Sequence, residues 1–249
     1  RVTSRGDGNT DLAIAKKILN SSGAQFIPTG IAPFDSVNSG IPRGAFMLIK
    51  TVTGGGKSLF VSQMAENFAM QGAHVGIVPL EMSTEEMITR DIARASGVDM
   101  TDLLAAKRKM SIKARKKAFK MYRDRTIAID KRGGSVKTIE PGADVDIHTL
   151  LSECKPFDFD VIIIDYVGLL KGAEGDQQWK ELGNITRYCK IWAGLNNCVV
   201  IMAAQLSAEG LLRYSRTMEE HAGYAWSWIP DELTEQLGII EIDQTKARQ

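Results

Sequence analysis

The stretch Leu48–Met64, LIKTVTGGGKSLFVSQM, limits the fold more than any other part of the chain. An apolar segment runs into three glycines, a lysine and a serine, after which apolar residues recur at helical spacing. Strand, glycine turn and helix start are what a phosphate-binding loop needs. Glycines let backbone N–H groups face the phosphates, the helix N-terminus adds positive potential, and the lysine reaches the β- and γ-phosphates. The G-K-[ST] tripeptide alone arises by chance in roughly one chain in eight of this length, so its setting carries the weight. Thr51 stands where the full pattern has a leading glycine. An ordinary glycine turn is the alternative. The strand before and the helix after favour a nucleotide-binding loop made by Thr53, Gly54, Gly55, Gly56, Lys57, Ser58 and Leu59.

Around this loop, short β-rich segments alternate with helical patterns. Residues 45–50, 74–80, 126–130, 160–165, 198–203 and 237–243 are apolar on both faces, as parallel strands covered on both sides are. Val61, Met64, Ala65 and Phe68 share one helical face, Leu182, Ile185, Cys189 and Trp192 another, and Ser83 with Glu86 forms a capping box. The expected fold is α/β and doubly wound, a mostly parallel central sheet with helices on both faces. In such sheets ligands bind at the C-terminal ends of the strands. Asp165 ends a run of four apolar residues, where a charge must be paired or coordinated, and Mg²⁺ held through water fits that need. Glu81 and Gln205 also close strands, as a general base orienting water and as a contact to a γ-phosphate. The plainer readings are a loop cap for Asp165, a helix N-cap for Glu81 and loop hydrogen bonding for Gln205.

The 249 residues suffice for one such domain, 23–249, preceded by a polar linker with a short helix, 1–22. That helix carries the stripe Leu12, Ala15, Ile18 and Leu19 and is too short to stand undocked. Net charge is +1, so a polyanion would be held by local charge. No run approaches the ~18 apolar residues of a membrane span. Cys154, Cys189 and Cys198 have no metal-ligand spacing and read as reduced thiols of a cytosol-like compartment. A start at Arg1 and a stop just after a strand-like run are expected of a piece of a longer chain. The most basic stretch, 107–125, sets Met110, Ala114, Ala118, Met121 and Tyr122 on one helical face and reads as a solvated face rather than a nucleic-acid patch. The two tryptophans of 224–236 read as packing alone.

PTGIAPFDSVNSGIPRG, TVTGGGKS, VPLEMSTEEMITR, VIIIDY and IMAAQLS, in this order and spacing, resemble the motor domain of DnaB-family replicative helicases over roughly residues 26–249. Relatives of that family also tend to lack the leading loop glycine. The resemblance implies a RecA-like ring ATPase with ATP as substrate. Lys57 would bind phosphate, Ser58 and Asp165 Mg²⁺, with Glu81 the catalytic base and Gln205 the γ-phosphate sensor. Lys246 and Arg248 would reach into the neighbouring subunit's ATP as trans lysine and arginine finger. A channel loop would place Arg213, Tyr214, Ser215 and Arg216 on single-stranded DNA, and a second loop Lys171. Tyr214 and Arg216 depart from the acidic and glycine residues commoner at those places. The resemblance further implies a hexameric ring held by the N-terminal helix, a primase or loader as partner, and the cytoplasm of a bacterial cell or phage-infected host. The function implied is ATP-driven translocation on single-stranded DNA and unwinding of duplex. Alternatives are a RecA-like recombination or regulatory ATPase that binds DNA without unwinding, and a nucleotide-dependent DNA clamp.

Overall fold

The computed structural model describes residues 12–13, 15–16, 19–20, 26–142, 144–165, 167–170, 178–206 and 215–247. Its main sheet has seven strands among these residues: β1 (Phe46–Val52), β2 (His74–Pro79), β3 (Ser135–Thr138), β4 (Val161–Asp165), β5 (Val199–Leu206), β6 (Tyr224–Trp228) and β7 (Asp243–Ala247), in the order β3-β2-β4-β5-β1-β6-β7. All neighbours run parallel except β6 and β7. The four strands β1, β2, β4 and β5 are almost wholly buried, which is why they read as continuous apolar runs.

Helices cover both faces. On one, α1 (Lys57–Met70) buries Val61, Met64, Ala65 and Phe68 against Met47, Ile49, Ile77 and Ile163. On the other, α4 (Ile147–Cys154) and α5 (Gln178–Asn196) bury Leu150, Leu182, Ile185, Cys189 and Trp192 against Leu48, Ile162 and Val200. The longer helices between α1 and α4 in sequence are α2 (Thr84–Ser96), which starts with the Ser83–Glu86 capping box, and α3 (Ile112–Asp130). A further helix, α6 (Ser215–His221), leads into β6. All three cysteines are buried, and burial pushes the Cys154 and Cys198 thiols up to about 12.

Two expected strands are corrected. Residues 126–130 form the end of α3, because Ile129 packs on the core beside α1 and tertiary contact overrides the β propensity of Thr126, Ile127 and Ile129. The strand next to β2 is instead Ser135–Thr138, a partly exposed edge without an apolar run. Residues 237–243 are likewise not a strand: Leu237 ends a helix (Glu232–Leu237), Gly238 turns the chain at φ 63°, and β7 begins at Asp243. The tryptophans of 224–228 lie in β6, a buried strand beside β1. In the basic stretch Lys120 and Arg123 pair with Asp124 in solvent, whereas Arg125 crosses to Glu66 of α1.

Candidate nucleotide site

The loop between β1 and α1 sits where three strand ends meet. Thr51 is in register with Gln205 of β5 on one side and with Trp228 of β6 on the other. Gly54 and Gly56 adopt φ of 77° and 78°, a left-handed conformation open to glycine, and alternation of this kind curls amides into an anion nest. Gly55 is required for a different reason. A Cβ there would lie 2.3 Å from Thr51 Oγ1, so the residue that replaces the leading glycine occupies the space beside the middle one. Gly56 is the N-cap of α1, which has no side-chain cap and so leaves its N-terminus to a phosphate.

A cleft of about 420 Å³ opens over this loop, lined by Thr53, Gly54, Gly56, Lys57, Ser58 and Leu59, with Glu81, Glu86, Arg90 and Gln205 facing them. Lys57 Nζ stands 3.5 Å from Asp165 Oδ1. Asp165 is 3% exposed, and its Oδ1 accepts no hydrogen bond from the described residues. A buried carboxylate oxygen 3.5 Å from the loop lysine, lining one small pocket with Ser58, is a donor set suited to a hard divalent cation bound with a nucleotide. Pro79 pairs with Asp165 in register, so β2 delivers Glu81, two residues on, to the same strand-end crevice. The cap of α2 is Ser83, not Glu81, which removes the capping role from Glu81 and leaves it lining the cleft. Gln205 Nε2 donates to Thr53 Oγ1, tying the end of β5 to the loop itself.

Two contributors were not singled out in the sequence. Arg90 lines the cleft, and its Nε is buried without a hydrogen-bond partner among the described residues. Its signal was the capping box, since Glu86 and Arg90 are four apart on one face of the helix that the cap orients. Trp228, 2% exposed, donates from Nε1 to the Gly55 carbonyl at 2.6 Å and packs on Phe60, ring centroids 4.9 Å apart. Trp228→Phe keeps most of the ring but orphans a buried carbonyl. It should lower stability by about 1–3 kcal/mol and weaken nucleotide binding, as read by urea unfolding and by titration of a fluorescent ATP analogue. Unchanged affinity would mean that the tryptophan only packs.

A second cavity of about 310 Å³ lies between α1, α2 and α3, where Glu66 pairs with Arg94 (2.5 Å) and Arg125 and where Asp91 meets Ser62. Its charges close on one another, which sets it apart from the loop cleft. Lys246 of β7 donates from Nζ to the carbonyls of Glu219 and Glu220. Ser215 and Arg216 open α6. Lys171, Arg213, Tyr214 and Arg248 lie outside the described residues.

The profile of the DnaB-like helicase C-terminal domain matches residues 26–217. The chain belongs to this family. The replicative DNA helicase DnaB of Haemophilus influenzae is 25% identical over 255 residues, covering 94% of this chain and 53% of that one. A probable replicative DNA helicase of Guillardia theta is 28% identical over 204 residues, 80% of this chain and 32% of that one. The chain thus spans about half the length, or less, of these DnaB-like relatives. Among solved structures, the ATPase domain of G40P superposes with a TM-score of 0.82 at 21% identity, covering 99% of this chain and 93% of that one. A DnaB-like replicative helicase described with its interactions with primase superposes at 0.79 and 21%, covering 99% and 63%. These superpositions establish the DnaB-like ATPase fold, RecA-like with a mostly parallel sheet.

Proposed function

We propose that this chain is the ATP-hydrolysing motor of a replicative DNA helicase, working as a hexameric ring that translocates on single-stranded DNA and parts the duplex. The convergence of Lys57, Ser58, Glu81 and Gln205 on one strand-end cleft, with Asp165 paired to Lys57 at 3.5 Å, carries the reading. Lys57 and the loop amides hold the β- and γ-phosphates, and Arg90 adds a cation from α2. Ser58 and Asp165 would hold Mg²⁺, which neutralises charge developing on the phosphates. Glu81 orients the attacking water, and catalysis is positioning plus electrostatics. Gln205, bonded to Thr53, senses the γ-phosphate and passes its loss to the loop that follows β5. That loop, with Arg213 and Tyr214, and the start of α6, with Ser215 and Arg216, would grip DNA phosphates, aided by Lys171. Arg248 would act on the neighbouring subunit's ATP, and Lys246 would join it on leaving the Glu219 and Glu220 carbonyls that hold its Nζ. A primase or loader is the partner the family suggests, in the cytoplasm of a bacterial cell or infected host.

Ring assembly is supported at the N-terminus, where helical Leu12 and Leu19 are 66% and 83% exposed, apolar side chains that the described residues leave uncovered. Leu12→Asp with Leu19→Asp should shift sedimentation from ring to monomer. A ring that survives would remove the helix from the assembly. The function itself is tested with a forked duplex bearing a single-stranded tail. Strand separation that requires ATP and Mg²⁺ is expected. ATP hydrolysis with no separation on any fork polarity would contradict the helicase reading.

A further inference from the structure

Lys50, in the middle of β1, is 4% exposed, and a lysine so buried must be matched by a partner. Its Nζ donates to Glu219 Oε1 at 2.8 Å and to Thr245 Oγ1 at 3.2 Å. Thr245 Oγ1 in turn donates to the same Glu219 oxygen. The next residue, Lys246, donates to the Glu219 and Glu220 main-chain carbonyls. Three parts of the chain meet here: the strand that leads into the phosphate loop, the last turn of α6, and β7.

The register of β7 explains why two consecutive side chains reach one helix end. Ala225 pairs with Lys246 and Trp226 with Gln244, so Thr245 is the extra residue of a β-bulge. In a regular strand Thr245 and Lys246 would point to opposite faces. The bulge turns both onto α6. β7 is an edge strand, held along one side by a ladder that the bulge interrupts, so side-chain anchors count for more in fixing it. Burial pushes the Glu219 carboxyl up, but the hydrogen bonds from Lys50 and Thr245 outweigh it and hold the group below the usual carboxylate range, ionised and able to grip both.

We infer that Lys50 and Glu219 are positioning residues for the neighbouring subunit's site: they pin the bulged register of β7, the strand that carries Lys246 and that the sequence continues to Arg248. The inference rests on the proposed trans action of that strand. It assigns Glu219 a defect felt not in its own cleft but in the next one.

The test is complementation in the full chain. Glu219→Gln should lower ATP turnover on the order of 10²-fold, as misplaced catalytic groups do, with ATP-analogue affinity within about twofold, since its own cleft is intact. Mixed with Glu81→Gln, it should regain turnover well above the sum of the separate proteins, because each Glu219→Gln site can then receive an intact strand from a Glu81→Gln neighbour. Thr245→Val, which leaves the ion pair in place, should show the same pattern more weakly and carries the test if Glu219→Gln does not fold. Arg248→Ala mixed with Glu81→Gln is the control. Recovery in the control without recovery for Glu219→Gln and Thr245→Val would overturn this inference alone. No recovery in the control would overturn the trans reading beneath it, and unchanged turnover in both new variants would overturn the inference outright.

Discussion

Arg248→Ala is expected to lower ATP turnover by roughly 10³–10⁵-fold, the range for removal of an arginine finger, while ATP affinity changes little. The reasoning starts from the charge of the cleft. Among the described residues lining it, Lys57 and Arg90 are the cations, and Lys57 faces the Asp165 carboxylate at 3.5 Å. A cation from the neighbouring subunit, added to Lys57 and Arg90, would meet the charge that builds on the equatorial oxygens of the transferring phosphoryl group. A group that meets only this transition state alters kcat and not ground-state binding. Single-turnover hydrolysis beside an analogue-binding titration separates the two. Turnover within threefold of the parent would leave Arg248 a solvated charge.

Glu81→Gln should lower turnover by about 10²–10⁴-fold, the usual contribution of a positioned general base. The amide keeps the shape and a hydrogen bond but cannot take the water's proton. Glu81 emerges beside Asp165 at the end of β2 and is relieved of capping by Ser83, so loss of its basicity should not disturb α2. Nucleotide binding and the melting temperature should both be retained. A fall in stability without a fall in turnover would return Glu81 to a structural role.

The legible part of this site is the part built on central strands. Asp165 closes a wholly buried run and Gln205 interrupts another near its end, and Lys57 follows three glycines set between a buried strand and a helix. A charge as buried as that of Asp165 calls for a partner or a cation, which is why it stands out in the sequence. What was missed lies on edges and irregularities. Ser135–Thr138 is an edge strand half open to solvent and lacks the apolar signature. Thr126–Asp130 has that signature but is held helical by the packing of Ile129. Trp228 gives no sign in sequence of the Gly55 carbonyl that it binds, because the contact joins β6 to the loop after β1 across 173 residues. The bulge at Thr245 is invisible for the same reason: a register slip belongs to a pair of strands and not to either one. Lys50 could be seen as a lysine within an apolar run, yet its partners are 169 and 195 residues away.

The most direct test of the motor reading is steady-state ATP hydrolysis with and without single-stranded DNA, in the parent chain and in Glu81→Gln. The account predicts Mg²⁺-dependent turnover that rises strongly with DNA in the parent and is lower by about 10²–10⁴-fold in the variant under both conditions. Turnover that ignores DNA and survives Glu81→Gln would contradict it, leaving a nucleotide-binding domain without a DNA-driven engine.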